Sequence, residues 1–216
     1  AASGLFLYAV VLLVLPFLII LWASLLPFYI QPSFEALGKF TLKNYITALH
    51  FPKITDSIKN SILLGVGSAS AVMVLTLFAS WLLVRTKIRG RWLLDLLTTL
   101  PLLFPGIVMG LAILRFYLFV PIPVYGTLWI LWIAFVTRYI PYGIRYTHSG
   151  LLQLHKELEE ASYVSGASWS RSMRRIVLPL ITPSFLGGWV FIFLLSAKEL
   201  SMSVLLVSPQ TPVVSV

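Results

Sequence analysis

Ser61–Val84 reads SILLGVGSASAVMVLTLFASWLLV, an unbroken apolar run without one charged side chain. A hydrocarbon core of about 30 Å takes roughly 20 helical residues to cross, so this stretch is long enough to span a bilayer as a single helix. Its apolar residues are continuous rather than alternating, which favours a helix over a strand of an outer-membrane barrel. Small residues crowd its first half: Gly65, Gly67, Ser68, Ala69, Ser70 and Ala71. They would let a neighbouring helix approach closely.

Four further stretches have the same character. They run from about Leu5 to Leu26 with Pro16 as a kink, Trp92 to Val120, Thr127 to Arg145, and Ile176 to Ala197. Trp92–Val120 is long and broken at Pro101 and Pro105-Gly106; Thr127–Arg145 carries Arg138 and Pro141. The expected fold is therefore all-α, a polytopic transmembrane helical bundle with about five spans in one domain, residues 1–216. An odd number of spans and a chain that stops at Val216 predict a sixth helix beyond it. The start, Ala1-Ala2-Ser3-Gly4, has no initiator Met and no basic leader, so it reads as a processed, tagged or excised segment.

Composition agrees. Hydrophobic residues are 59% and charged residues 11% of the 216, against roughly 45–50% and about 25% in soluble domains. Such a chain cannot cover a globular surface with polar groups, which excludes a soluble enzyme. The net charge of +9 does not indicate nucleic acid, because the basic residues are spread thinly between apolar runs. They mark orientation instead. Nine of the 16 Lys and Arg fall in the short connections 85–91 and 145–175, and six in the longer 27–60, 115–126 and 198–216. The denser side is predicted to be cytoplasmic, with the N-terminus, and 27–60 to be a periplasmic connection. Cysteine is absent.

The connection at 147–175 is too long for a simple link between packed helices. Glu157 to Ser165 favours helix, Gly166 breaks it, and Ser168 is placed to cap a second short helix. Leu158, Ala161 and Val164 share one face, and Ala161, Ser162 and Ser165 make a small-residue surface that can seat closely in a groove. Glu160-Ala161-Ser162, then Gly166, then Ile176, Leu178 and Pro179 resemble the motif of ABC importer permeases: E-A-A, three residues, G, nine residues, I-x-L-P. Only Ser162 departs, replacing a second Ala by another small residue.

That resemblance implies an inner-membrane permease whose 147–175 segment is a coupling helix docked on a separate ATP-hydrolysing subunit. The expected contacts are Leu158, Glu160, Ala161, Ser162, Val164, Gly166 and Ala167. The implied partners are ABC ATPase subunits, a periplasmic substrate-binding protein, and a second transmembrane half, either a tandem half or a second copy. Lys198-Glu199-Leu200-Ser201 followed by Val204-Leu205-Leu206 look most like the ferric-iron importer permeases, as the second half of a tandem. Putrescine, thiamine, sulfate and phosphonate permeases share much of the pattern and stay open as alternatives. An ion-coupled secondary transporter would need paired ionisable residues at mid-membrane, and only Arg138 qualifies.

The candidate pathway or gate residues are Pro105, Gly106, Arg138, Lys198, Glu199 and Ser201. Arg138 either lines the path or makes a structural pairing, since a charge inside a span usually faces a partner or a wet cavity. Lys198 and Glu199 stand at the outer end of the last span, where they serve passage or anchoring. Asp95 is placed to pair with Arg91 one turn back. His155 and Glu159 stand one turn apart but lack a third ligand, so no metal site is expected. No phosphate loop, nucleophile elbow or H-E-x-x-H occurs, so neither a cofactor nor a catalytic residue is expected.

Overall fold

The computed structural model describes residues 2–120 and 122–216, and among them every regular element is helical. The chain divides into two units, Ala1–Ile54 and Thr55–Val216.

The first unit holds α1 (Ala2–Ser24), α2 (Phe34–Leu37) and α3 (Lys43–Leu49). Helix ends leave backbone carbonyls without partners. Here Asn44 Nδ2 donates to Leu26 O at 2.7 Å and to Ser24 O at 3.1 Å, and Tyr45 shares a 2.7 Å hydrogen bond with Ser24 Oγ. Trp22 stands edge-on to Phe40, ring centroids 5.0 Å apart. The segment after α1 is thus not a bare connection; it folds back and closes the end of the helix.

The second unit is built on α4 (Ile54–Arg85), α7 (Leu128–Gln153) and α10 (Leu178–Ala197). The small-residue run does what its composition suggests. A Cβ added at Gly65 would lie 2.8 Å from the Phe193 ring, and one at Gly143 would lie 2.6 Å from Val72 Cγ1 and 2.8 Å from Thr76 Oγ1. Short polar side chains join the helices where they touch: Ser68 with Ser196 at 2.9 Å, Ser80 with Thr147 at 2.7 Å, and Trp189 Nε1 donating to Ser70 Oγ at 3.0 Å. Phe135, Met73, Ile130, Leu131 and Ile192 fill the buried centre. Because Val72 is stiff at χ1, Gly143→Ala should cost about 1–3 kcal/mol through overpacking. The thermal midpoint of the purified protein reads this, and an unchanged midpoint would mean that α4 and α7 do not meet there.

Several expected boundaries move. The run expected from Trp92 to Val120 is α5 (Arg91–Thr99) with a 3₁₀ turn (Leu100–Leu103), then α6 (Gly106–Phe119), the two parts bent by 109°. Pro105 supplies no N–H to continue the first helix and stands at the N-cap of α6. Helix α7 does not stop near Arg145 but continues to Gln153, so the first part of the expected loop is helical. The last long helix does not start at Ile176: α9 (Trp169–Ser172) passes through a π-turn (Met173–Val177) into α10 without a break. Among the described residues two helices, Ile54–Arg85 and Trp169–Ala197, are long and apolar enough to cross a membrane on those criteria alone, and the bent pair adds a third when taken as one span. Helix α7 has the length, 26 residues, or about 39 Å at 1.5 Å per residue, but its charges lower its apolarity.

Candidate functional site

Two groups of side chains stand apart from ordinary packing. The first surrounds α8 (Lys156–Val164), joined to α7 through the extended residues Leu154 and His155. Glu157 and Glu159 lie in its first turn, where carboxylates suit the helix dipole. Its end is a Schellman motif. Gly166 N–H bonds Tyr163 O at 2.9 Å, Ala167 N–H bonds Ser162 O at 3.0 Å, and Gly166 has φ +79°. A left-handed residue there is what glycine allows at least cost.

Leu158, Glu160, Ala161, Val164 and Gly166 are exposed and Ser162 and Ala167 half-buried, with Val164 90% exposed. This small-residue face is uncovered within the chain. Glu160 takes a 2.6 Å ion pair from Lys156 one turn back. The hydrogen bond to Glu160 holds the Lys156 ammonium above its ordinary range. Ser168 occupies the N-cap of α9, but its side chain makes no capping bond.

Glu159 behaves differently from its neighbour. It is 3% exposed, and its Oε1 receives Arg85 Nε at 2.7 Å while Oε2 receives Trp81 Nε1 at 3.3 Å. Arg85 Nη2 also donates to Leu154 O at 2.8 Å and Leu151 O at 3.2 Å, at the end of α7. Trp169 of α9 closes over this group, edge-on to Trp81 at 5.5 Å and stacked on Phe78 at 6.3 Å. Sequence reasoning missed this set. Arg85 read as an orientation charge and Glu159 only as a neighbour of His155 one turn away; a Trp and an Arg four residues apart at a helix end was the available signal.

The second group gathers at the bend. Arg138 Nη1 donates to Pro101 O at 3.0 Å and Phe104 O at 2.5 Å and touches Met109 Sδ at 3.8 Å. Arg138 thus lays its guanidinium on backbone carbonyls at the bend. Glu199 stands just before α11 (Ser203–Leu206): its Oε1 accepts from Met202 N–H at 3.2 Å and its Oε2 from Tyr139 O–H at 2.7 Å. A Cβ at Gly106 would meet Ser201 Cβ at 3.2 Å and Glu199 Oε1 at 3.6 Å. Pro105, Gly106, Arg138, Glu199 and Ser201, drawn from three parts of the sequence, therefore converge; Lys198 is exposed at the C-cap of α10. Tyr139, not singled out from sequence, links Arg138's helix to Glu199.

Asp95 makes no ion pair with Arg91. Both instead line a cavity of about 290 Å³ with His148, and Asp95 also faces a second of about 290 Å³ bordered by Thr99, Arg145 and His148. The ends of α5 and α7 hold these polar groups apart rather than pairing them.

Residues 73–212 match the family described as binding-protein-dependent transport system inner membrane component. A Haemophilus influenzae protein named for ferric transport, a permease FbpB, is 33% identical over 178 residues, covering 80% of this chain and 28% of its own length. The spermidine/putrescine permease PotC of Escherichia coli is 25% identical over 170 residues, covering 79% of this chain and 64% of PotC. This chain thus spans little more than a quarter of the first relative and under two thirds of the second. Among solved structures, a bacterial ABC transporter involved in the import of alginate shares the fold with a TM-score of 0.73 and 17% identity, over 99% of this chain and 75% of that one.

Proposed function

The chain belongs to the family of binding-protein-dependent transport system inner membrane components, and we propose that within it the chain is a translocating half of an ABC importer for ferric iron. The observation that carries the reading is α8: a Glu160-Ala161-Ser162 face left uncovered, ended by a left-handed Gly166 at the spacing of the coupling motif. Small side chains let a groove on an ATPase subunit close over Leu158, Ala161, Ser162, Val164 and Ala167, while Glu160 meets its rim. ATP binding draws two such subunits together, α8 moves with them, and the bundle passes from inward-open to outward-open. A periplasmic binding protein then releases cargo toward the bend, where Pro105, Gly106, Glu199 and Ser201 meet. Hydrolysis resets the bundle. The chain supplies the path and the lever, and the partner supplies the energy. A second transmembrane half, tandem or a second copy, completes the path, and the connections at 85–91 and around α8 face the cytoplasm.

Iron is favoured by the 33% identity to the relative named for ferric transport. Polyamine is the second reading, favoured by the larger share of PotC that the chain covers. Cells carrying the intact operon, and cells lacking this chain, are given radiolabelled ferric iron or putrescine. Loss of iron uptake alone supports the first reading; loss of putrescine uptake alone replaces it with the second. If no ATPase subunit co-purifies with the tagged chain, the importer reading itself falls.

A further inference from the structure

Glu159 and Glu160 are adjacent yet point to opposite environments. Glu160 is exposed and paired with Lys156 along the helix surface, an arrangement that contributes little to stability. Glu159 is the buried member, and Arg85 is nearly as enclosed. We infer that the Arg85–Glu159 pair is a strut that makes α8 move as one body with the C-terminal ends of α4 and α7. The inference rests on the reading of α8 as the element that receives motion from an ATPase subunit.

The geometry carries it. Leu154 and His155, with ψ of 119° and 129°, form a two-residue extended link between α7 and α8. Such a link, left to itself, is a hinge, and a push on α8 would be absorbed there. One guanidinium removes that freedom by bonding three elements together. Its own helix is α4, its Nε holds the α8 carboxylate, and its Nη2 holds the carbonyls of Leu154, just past the end of α7, and of Leu151, whose backbone donor is the Leu154 N–H at 3.3 Å. Trp81, one turn before Arg85, fixes the second carboxylate oxygen and packs against Trp169, so α9 is drawn into the same body. Arginine's planar, always-charged fork can make this set of bonds at once, whereas a lysine ammonium is a point charge on a flexible stem.

A buried ion pair is weak evidence for stability, because desolvation offsets much of the attraction, yet removing one partner is costly. The inference therefore predicts a change in how motion is transmitted. The chain has no cysteine, so labels can be introduced on a clean background at two exposed positions that are not among the expected docking contacts, Tyr163→Cys on α8 and Leu152→Cys near the end of α7. The complete complex with its ATPase subunits is placed in lipid nanodiscs. The distance between the two spin labels is measured without nucleotide and with ATP and vanadate.

The complex with unaltered Arg85 and Glu159 should give one narrow distribution with the same maximum in both states. Glu159→Gln should widen it and make the maximum shift with nucleotide, and Arg85→Lys should do so to a lesser degree. The double variant Arg85→Gln/Glu159→Gln should be no wider than Glu159→Gln alone, because residues of one interaction are not additive. Should Glu159→Gln fail to assemble, Arg85→Lys carries the same comparison. The strut is overturned if the unaltered pair shows a distance that changes with nucleotide, if the variants keep the narrow, fixed distribution, or if the double variant widens it further. Failure of the importer reading is seen separately, as absence of an ATPase subunit from the unaltered preparation.

Discussion

Substitutions at Gly166 should grade transport by their tolerance of a left-handed backbone: Gly166→Asn close to the parent, Gly166→Ala reduced, Gly166→Val lowest. A Cβ at this position would meet nothing within 4 Å, so the series tests backbone conformation without a steric clash. Residue 166 sits at φ +79°. Left-handed geometry costs an L-residue roughly 1–2 kcal/mol; Asn adopts it more readily and a β-branched residue is a genuine outlier. Relieving the strain means giving up the bonds from Gly166 N–H to Tyr163 O and from Ala167 N–H to Ser162 O. Together these effects should disfavour the turn in Gly166→Val by about 2 kcal/mol or more, and each 1.4 kcal/mol is tenfold in an equilibrium. Uptake by Gly166→Val cells should therefore fall by more than about tenfold, while the chain still reaches the membrane and its core, remote from this turn, stays folded. Equal uptake by all three variants, at equal amounts of membrane-inserted protein, would sink the claim that this turn transmits motion.

The turn is legible in the sequence because its signals are local. A helix-favouring run, a glycine after it, and fixed spacing to Ile176, Leu178 and Pro179 need no tertiary information. The apolar runs are legible for the same reason, and so is the close approach that Gly65 permits. What stays hidden depends on which helices meet. Arg85 and Glu159 are 74 residues apart, and nothing near either residue says that the carboxylate turns inward while Glu160 turns out. Helix ends also resist. Arg145 looks like a boundary because a charge at the end of an apolar run usually is one, yet α7 continues to Gln153 along a polar cavity that receives Arg145 and His148. The expected Asp95–Arg91 pair fails in the same way, since both side chains turn toward cavities rather than along their own helix. The 109° bend is half-legible. Pro105 announces a break, but a sequence does not give the angle between what precedes and follows it.

That bend carries the second large expectation: Arg138→Leu should abolish most uptake while moving the thermal midpoint only modestly. Inside a helix, Pro101 O would accept from the N–H of residue 105, but Pro105 has none. Phe104, extended at φ −104° and ψ 134°, lies beyond the reach of the α6 ladder. Arg138 supplies the donor for both carbonyls. Removing it forfeits two charge-assisted bonds at roughly 1.5–3 kcal/mol each. It also relieves a charge within a spanning helix of a cost of about 2.5–3.5 kcal/mol. The two effects largely offset each other in overall stability, yet only the first acts at the bend. The angle between α5 and α6 loses its tie, and with it the seat of Gly106 against Ser201 and Glu199. Phe104→Cys, in a chain otherwise free of cysteine, reports this directly. Its reaction with a maleimide should quicken in the Arg138→Leu background and less so in Arg138→Lys, whose ammonium can still reach one carbonyl. Full uptake together with unchanged labelling in Arg138→Leu would show that the prolines hold the bend unaided. Loss of uptake with unchanged labelling would instead return Arg138 to the role of a path-lining charge.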